Sequence, residues 1–450
     1  MQTLHTFAHR QCSGTAHRQC FDNASTSSAT SSATSLGTAR AKRCEQMTKL
    51  SEIETVTLSE WGADIYPKLS WFKKEKVSSA HVMVVGCGAL GNEVIKNLAL
   101  FGVGNLVLVD FDEVEESNLT RSILFSIDDA MKHRYKVEAA AQSVKKINSS
   151  INVSTIVGDI SNSVGLGLIR KMDVVVGCLD NRWARYVLNR LCMRADVPWV
   201  DGGINALEGV AKVFVPGVNC YACTLEPSAL AELKRQTSCS VAIKRNQESG
   251  RVPTTPVVAS IIGAVQAQEA MKLIHKEEIE KGELTSLCGK MFCYDGACMS
   301  VRLVSHRGWD DDCPVHEKWS PILESPLTNL STVDEIFSWL RRSCSTDNVE
   351  IVLRNQAFVD FVEDRVSGEK YDVMLPESQV LRFIENNEEM SAKPMGQFYQ
   401  HAVCIINSDF KYKNLTLKQL GIPEQDVLHV KGEREFYVQL GSTPNYSLRS

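Results

Sequence analysis

The segment from His81 to Arg121 constrains the fold of this chain more than any other part of the sequence. An apolar run, Val82–Val85, leads into a glycine-rich loop with the sequence GCGALG, and apolar residues at helical spacing follow the loop. A second apolar run, Leu106–Val109, then ends in Asp110. This order of strand, loop, helix and strand predicts the first unit of a nucleotide-binding α/β fold, with Asp110 placed to accept hydrogen bonds from a ribose.

The glycine-rich loop is expected to contact phosphate groups. Glycine lets backbone N–H groups come close to a phosphate, and the N-terminus of the following helix favours negative charge. The predicted contacts are these loop residues: Gly86, Gly88, Ala89, Leu90 and Gly91. A glycine loop alone is a weak signal, because nicotinamide- and flavin-binding proteins share it.

Polar residues after the second strand favour a nucleoside triphosphate over a dinucleotide. Asp110 is followed closely by Asp112, Asn118 and Arg121, and Lys136 comes at the start of the next helical pattern. A dinucleotide needs one acid for its ribose and few cations. A triphosphate needs cations beside its β and γ oxygens while the α-phosphorus is attacked. The alternative interpretation is a solvated acidic loop with an incidental arginine.

The alternation of strands and helices continues beyond Arg121 and predicts a Rossmann-like, mostly parallel sheet. A helix is expected over residues 133–147, strands near 153–157 and 173–176, and a helix over 182–194. Near-continuous apolar strands are typical of parallel sheets that are buried on both faces. Asp180 follows the strand at 173–176, at the sheet edge that carries the ligand crevice. Its carboxylate is a candidate ligand for the Mg²⁺ that accompanies ATP and a candidate N-cap of the next helix.

Two pairs of residues with matching two-residue spacing predict a zinc site. Cys220-Tyr221-Ala222-Cys223 alone is ambiguous between a redox pair, half a metal site and chance. Cys313-Pro314-Val315-His316 repeats the spacing, and three thiolates with one imidazole suit a structural, tetrahedral zinc ion. Three further cysteines compete for the second pair but lack that spacing: Cys288, Cys293 and Cys298. Fifteen unevenly spaced cysteines in 450 residues indicate reduced thiols rather than a disulfide scaffold.

Cys239 is a candidate nucleophile in the polar segment between the two pairs. It precedes a proline-rich stretch and a long apolar helix expected over residues 257–274. Lys234, Arg235, Lys244 and Arg245 lie nearby in sequence, and neighbouring cations lower the pKa of a thiol. An ordinary loop cysteine explains the same pattern equally well.

Composition limits the classes of function. A net charge of −5 argues against nucleic-acid binding. The sequence has no run of about 18 apolar residues, so no membrane span is predicted, and a cytoplasmic protein is expected.

Residues 1–48 are predicted to form a disordered tail. They repeat AHRQC and then become rich in Ser, Thr and Ala. An organelle transit peptide is the alternative for this tail, because it is rich in Arg and Ser and poor in acids.

Three parts of the chain are expected from these patterns: the tail over 1–48, a nucleotide-binding domain over 58–320 and a small α/β domain over 327–450. A helical lead-in with Trp61, Tyr66 and Trp71 is expected to pack on the nucleotide-binding domain. Pro321 and Pro326 suggest a linker before the C-terminal domain, in which two helices and several strands are expected. The C-terminal domain shows no catalytic cluster, so partner docking is its predicted role.

The motifs together resemble the ThiF/MoeB-type adenylyltransferases, which activate ubiquitin-like proteins and sulfur carriers. The resemblance covers about residues 58 to 320 and rests on several separated motifs in one order. They are GCGALG, LVDFDEVEESNLTR, Lys136, Cys-Leu-Asp-Asn at 178–181, CYACTLE, PTTPVVASIIGAVQAQEAMK and CPVH. The chain departs from the family pattern at the lead-in WGADIYPKLSW, which lacks an arginine, at Ser122 in place of glutamine, and at His316 in place of cysteine.

The resemblance implies ATP-dependent adenylation of the C-terminal glycine of a ubiquitin-like or sulfur-carrier β-grasp protein. It implies that Asp110 and Asp112 lie at the ribose and that Asn118, Arg121 and Lys136 hold the triphosphate. Asp180 would bind Mg²⁺, and the Cys/His pairs would bind Zn²⁺. Cys239 would be the thioester-forming cysteine. The implied partners are the carrier, a conjugating enzyme or sulfurtransferase, and a second subunit in a homo- or heterodimer.

Two alternative functions remain open, and the first belongs to a different class of protein. One is a non-catalytic scaffold subunit of a heterodimeric activating enzyme, which the joint presence of Arg121, Lys136 and Asp180 disfavours. The other is a peptide adenylyltransferase that uses the same site without a thioester step.

Overall fold

A mixed eight-stranded sheet is the centre of the segment over residues 81–305, which contains all of its strands. The computed structural model describes residues 69–235, 254–306, 308–344, 348–353 and 357–442. The strand order is β3-β2-β1-β4-β5-β6-β7-β8, with β1 to β5 parallel and β6 to β8 antiparallel. The strands are β1 (His81–Val85), β2 (Asn105–Asp110), β3 (Asn152–Val157), β4 (Val174–Gly177), β5 (Trp199–Asn205), β6 (Glu208–Phe214), β7 (Lys290–Asp295) and β8 (Ser300–Ser305). The predicted α/β fold with a mostly parallel sheet is confirmed.

Helices cover both faces of this sheet because alternate residues of its strands point to opposite sides. In β1, Val82 and Val84 join one buried cluster, whereas Met83 and Val85 join the other. The helices are α1 (Lys74–Ser79), α2 (Ala89–Phe101), α3 (Ile127–Met131), α4 (Lys136–Ile147), α5 (Leu166–Ile169), α6 (Arg182–Ala195), α7 (Pro227–Arg235), α8 (Pro256–Ile274) and α9 (Lys276–Glu280). Helix α4 begins three residues later than the sequence pattern predicted.

Helix α2 follows the glycine-rich loop directly. It ends at Gly102, whose φ of +81° is left-handed, and the Val103 N–H donates to the Leu98 carbonyl, as in a Schellman cap. This cap turns the chain back toward β2, which pairs in parallel with β1 over five residue pairs. The loop, the helix and Asp110 are therefore held at one edge of the sheet.

Helix α8 is long and apolar enough to cross a membrane on length and composition alone. In the structure half of its most apolar 18-residue window is buried. It packs against α2, β5 and β6. The contact is close, because a Cβ placed on Gly209 would lie 2.3 Å from Ile262 Cγ1.

The C-terminal part contains a five-stranded and a three-stranded sheet. The five-stranded order is β14-β10-β15-β16-β9, and the three-stranded order is β12-β11-β13. Its elements are β9 (Ile322–Glu324), α10 (Val333–Cys344), β10 (Glu350–Val352), β11 (Phe358–Asp364), β12 (Lys370–Pro376), α11 (Glu377–Asn386), α12 (Glu388–Ser391), β13 (Phe398–Val403), β14 (Ile405–Ile406), β15 (Val427–Lys431) and β16 (Phe436–Gln439). The expected linker contains β9, which pairs in parallel with β16, so that expectation is wrong for residues 322–324. Strand β11 was also absent from the sequence prediction.

The eight-stranded sheet with its helices and the C-terminal part pack against each other within one compact unit. The Asp426 carboxylate accepts a hydrogen bond from the Leu166 N–H at 2.9 Å. A Cβ on Gly167 would lie 2.4 Å from the Gln425 carbonyl oxygen, so the backbones approach closely there. Trp319 stacks on Tyr437 with ring centroids 4.7 Å apart.

Part of the expected lead-in is described. Trp71 contacts the rings of Phe72 and His275, and Phe72 is buried. Trp61, Tyr66 and the tail over 1–48 lie outside the described residues.

Candidate functional site

A cavity of about 560 Å³ lies at the carboxyl edge of the parallel strands. The structure brings together in its lining ten of the eleven residues predicted to contact ATP: Gly86, Gly88, Ala89, Leu90, Asp110, Asp112, Asn118, Arg121, Lys136 and Asp180. The eleventh, Gly91, is buried and does not line the cavity. The lining combines apolar strand ends with acids and cations, as expected of a site for a charged nucleotide.

The glycines of the loop have different roles. Gly86 has a left-handed φ of +93°, and a Cβ there would lie 2.4 Å from the Cys178 carbonyl oxygen. A Cβ on Gly91 would lie 2.0 Å from the Gly86 carbonyl oxygen. A Cβ on Gly88 would meet no atom within 4 Å. Gly86 and Gly91 are therefore required by packing of the fold, whereas Gly88 leaves open space that faces the cavity.

Asp110 supports the glycine loop as well as facing the cavity. One carboxylate oxygen accepts a hydrogen bond from the Cys87 N–H at 2.6 Å, and the other accepts from the Asp112 N–H at 2.8 Å. Burial raises the pKa of Asp110, and the charge of Lys136 opposes that rise. Because each carboxylate oxygen has two lone pairs, both can still accept a ribose hydroxyl.

Lys136 is the first residue of α4 and is held by Asp112. Its Nζ lies 2.6 Å from Asp112 Oδ2, and its backbone N–H donates to the Asp112 carbonyl at 2.9 Å. The lysine side chain is 12% exposed, whereas that of Asp112 is 49% exposed. The ammonium group is therefore fixed at the cavity wall by a partner that water also reaches.

Asn118 and Arg121 lie on and just after a 3₁₀ turn, Glu116–Thr120. The Asn118 Oδ1 accepts from the Glu115 N–H at 3.0 Å, which closes a capping box. Arg121 Nη1 donates to the Ser117 carbonyl at 2.7 Å. These local bonds hold an amide and a guanidinium group at the cavity, the arrangement expected for phosphate recognition.

Asp180 is exposed in the turn between β4 and α6. Its carboxylate accepts a hydrogen bond from Asn181 Nδ2 at 3.1 Å. The N-cap of α6 is Asn181, whose Oδ1 accepts from the Ala184 N–H at 2.7 Å. The N-cap role expected for Asp180 is therefore wrong, and its carboxylate is left at the cavity, where Mg²⁺ could bind.

Two lining residues that the sequence reasoning missed are Arg185 and Asp201. Arg185 Nε donates to Asp201 Oδ1 at 2.9 Å, and both side chains are largely buried. Asp201 directly follows the apolar pair Trp199-Val200, which is the signal that identified Asp110. Arg185 had no comparable signal, because its partner depends on how β4 and β5 are paired.

The predicted zinc ligands form one cluster. The ligand atoms of Cys220, Cys223, Cys313 and His316 all lie within 4.8 Å of one another. Cys223 Sγ is 3.5 Å from His316 Nε2, and Trp309 stacks on the imidazole at 3.4 Å between ring centroids. Tetrahedral zinc with bonds of about 2.3 Å to sulfur would separate its ligands by just under 4 Å, so this donor set fits zinc.

Charge and hydrogen bonding also suit a metal at the cluster. A hydrogen bond from the Cys220 thiol lowers the pKa of Cys313, so one ligand is readily present as the thiolate that zinc binds. Burial raises the pKa of Cys223 and so opposes its ionisation, and a bound cation would offset that cost. Burial lowers the pKa of His316, which favours neutral imidazole, the form that binds metals. The fully buried Asn189 amide donates to Cys220 Sγ at 3.1 Å. The three competing thiols form other contacts: Cys288 with Asn219, Cys293 with the Met291 carbonyl and Cys298 with Asp295.

Cys239 lies outside the described residues, so the structure does not locate it relative to the cavity. Lys234 and Arg235 belong to α7.

Comparison with known proteins gives the family. The profile of the ThiF family matches residues 57–315, which is more than half of the chain. The chain belongs to the ThiF family. It is 36% identical over 246 residues to the SAMP-activating enzyme E1 of Haloferax volcanii, covering 53% of this chain and 81% of that protein.

Other relatives agree with this assignment. The molybdopterin-synthase adenylyltransferase of Haemophilus influenzae is 34% identical over 234 residues, covering 51% of this chain and 86% of that protein. The adenylyltransferase and sulfurtransferase MOCS3-1 of Zea mays is 35% identical over 242 residues, and the chain spans 47% of its length. Among solved structures, this chain is similar to E. coli MccB in its crystal structure with succinimide. The sequence identity is 27%, the match covers 54% of this chain and 68% of the MccB chain, and the TM-score is 0.44.

Proposed function

We propose that this protein is an ATP-dependent adenylyltransferase that activates the C-terminal carboxylate of a ubiquitin-like or sulfur-carrier protein. The names of the relatives from Haloferax volcanii and Haemophilus influenzae describe an activating enzyme and an adenylyltransferase, and the chain covers most of both proteins. The observation that carries the proposal is that Asp110, Arg121, Lys136 and Asp180 line the same cavity beside the glycine loop.

The cavity residues suit nucleophilic attack by a carboxylate on ATP. An oxygen of the carrier carboxylate forms a bond to the α-phosphorus, and the bond to the bridging oxygen of pyrophosphate breaks. Arg121 and Lys136 stabilise negative charge that develops on the phosphate oxygens. They also bring two anions together, which is an orientation effect. Asp180 would hold Mg²⁺, which neutralises charge on the leaving pyrophosphate.

Zinc and Cys239 have separate parts in this proposal. The four-residue Cys/His cluster would hold zinc in a structural role, since all four coordination positions are supplied by protein. Cys239 would accept the acyl group after adenylation, with AMP as the leaving group. A conjugating enzyme or a sulfurtransferase would then use the activated carrier.

The test is ATP–pyrophosphate exchange with purified carrier proteins that end in Gly-Gly. Wild type is expected to catalyse exchange that depends on the carrier, and Asp180→Asn is expected to abolish it. Asp196→Asn is the control, because Asp196 is an exposed C-cap in the left-handed region, which asparagine also tolerates. Cys239→Ala should spare exchange and lose any thiol-sensitive carrier adduct. Tight binding of a nicotinamide or flavin cofactor with no ATP binding would overturn the proposal.

A further inference from the structure

Strands β4 and β5 separate just where the cavity begins. Their parallel pairing ends at Gly177 and Asp201. On one face of the sheet, Gln266 Nε2 crosses the gap, donating to the Gly177 carbonyl at 2.9 Å and to the Val200 carbonyl at 3.4 Å. A Cβ on Gly202 would lie 2.3 Å from Gln266 Oε1, so this amide fills its side of the gap.

Arg185 crosses the same gap at the cavity. Its Nη2 donates to the Leu179 carbonyl at 2.5 Å and to the Gly202 carbonyl at 2.9 Å. Leu179 lies in the turn after β4, and Gly202 lies in β5. One guanidinium group therefore replaces the backbone pairing that the two strands no longer make.

Asp201 fixes the orientation of this guanidinium group. It accepts from Arg185 Nε at 2.9 Å, and the two side chains are only 14% and 5% exposed. A buried guanidinium group is stable only when a counter-ion and hydrogen-bond acceptors surround it. Here one carboxylate and two backbone carbonyls supply them.

The bridge by Arg185 restricts the backbone next to Asp180. Asp180 is exposed and directly follows Leu179, whose carbonyl Arg185 holds. On the other side of Asp180, Asn181 is fixed as the N-cap of α6. The location of the Asp180 carboxylate therefore depends on Leu179 before it and Asn181 after it, both of which are held in place. Leu179 is held by the Arg185 side chain, which lies one helical turn into α6.

We propose that Arg185 is a positioning residue that fixes the turn at residues 178–181 and thereby places the Asp180 carboxylate for Mg²⁺. The inference rests on the proposed function, since it assigns Asp180 to the metal that accompanies ATP. Lysine cannot replace Arg185, because a single ammonium group lacks the planar fork that reaches Asp201 and both carbonyls at once.

The test is the Mg²⁺ dependence of carrier-dependent ATP–pyrophosphate exchange in Arg185→Lys. Loss of a residue that orients a metal ligand costs about 10- to 100-fold in metal affinity. We therefore expect the half-saturating Mg²⁺ concentration to rise by about tenfold or more, with exchange largely recovered at saturating Mg²⁺. Electron paramagnetic resonance of Mn²⁺ with ATP should show the same loss of affinity without turnover.

Arg194→Lys is the matched control on the same helix. Arg194 is paired with Glu317 at 2.9 Å and lies over the Trp319 ring, far along α6 from the turn. General loosening of α6 would change both variants, whereas a role in placing Asp180 changes Arg185→Lys alone. A half-saturating Mg²⁺ concentration in Arg185→Lys within twofold of wild type would overturn the inference.

If Arg185→Lys does not fold, Asp201→Asn provides the test. Asp201→Asn keeps the side-chain size and an acceptor oxygen but removes the counter-ion, so the half-saturating Mg²⁺ concentration should again rise. An unchanged Mg²⁺ dependence in Asp201→Asn would overturn the inference. Absence of exchange in wild type would instead overturn the proposed function, so the two failures are distinguishable.

Discussion

The ammonium group of Lys136 lies 2.6 Å from the Asp112 carboxylate, and the backbone N–H of the same lysine donates to the Asp112 carbonyl at 2.9 Å. The family resemblance implied that Asp112 lies at the ribose. In the structure Asp112 lines the cavity and also holds a cation that is expected to bind the triphosphate. A bound nucleotide would share the Lys136 ammonium group with Asp112. The carboxylate therefore orients the lysine before ATP binds, but it also offsets part of the positive charge.

Removal of the Lys136 charge should reduce catalysis strongly. Lys136→Met is expected to lower the rate of ATP–pyrophosphate exchange by about 100-fold, because a preorganised cation at the phosphates is lost. Lys132→Met is the control: Lys132 is 60% exposed and pairs with Asp128 on the surface, so its loss should leave exchange near the wild-type rate. Equal rates in the two variants would contradict the role given to Lys136.

The glycine loop should respond differently at two of its positions. Gly91→Ala places a Cβ 2.0 Å from the Gly86 carbonyl oxygen and should lower the free energy of unfolding by about 1–3 kcal/mol. Gly88→Ala meets no protein atom within 4 Å and should leave that free energy within about 0.5 kcal/mol of wild type. It should nevertheless weaken ATP binding, because the methyl group occupies the open space where a phosphate would approach. Denaturant unfolding and calorimetric ATP titration measure the two effects, and normal ATP affinity in Gly88→Ala would count against the loop contact.

Zinc should stabilise the protein through the Cys/His cluster. Purified protein is expected to contain an equimolar amount of zinc, and chelation should lower the melting temperature. Cys220→Ser should lose zinc, whereas Cys298→Ser should keep it, because Cys298 is exposed and lies outside the cluster. Zinc should also be released as pH falls, since protons compete for the thiolates. Metal analysis by mass spectrometry is the measurement, and full zinc content in Cys220→Ser would remove that ligand from the assignment.

Packing of the C-terminal part should depend on pH through Asp426. Burial raises the pKa of Asp426 to about 6, against the hydrogen bonds from backbone N–H groups and the charge of Arg194. Because the folded pKa is above the unfolded one, the contribution of this group to stability is full at low pH and is lost as pH rises from about 4 to 6.

The variant that tests this titration is Asp426→Asn, which keeps an acceptor for the Leu166 N–H without the charge. Relative to wild type it should gain on the order of 2 kcal/mol at pH 8 and little at pH 4. Denaturant unfolding at several pH values measures the difference, with the exposed Asp409→Asn as control. A difference between Asp426→Asn and wild type that does not vary with pH would show that Asp426 does not titrate in this range.

Much of the site followed from sequence because its residues stand at fixed places relative to predicted elements. Asp110 follows an apolar strand, the glycine loop precedes an amphipathic helix, and Asp180 follows another apolar strand. In a parallel sheet the carboxyl ends of strands meet at one edge, so these residues had to converge whatever the details of packing. The Cys/His pairs were predictable for a similar reason, since matching spacing and ligand chemistry indicate one metal.

The sequence alone therefore determined the parallel α/β fold, the edge of the sheet that carries the site and the identity of the cluster ligands. Only the tertiary structure decided which side chains hold those groups in place. Asp112 holds Lys136, Arg185 bridges Leu179 and Gly202, and β9 pairs with β16, which is distant in the chain. Such contacts depend on strand register and on the meeting of distant segments, and neither periodicity nor local spacing encodes them.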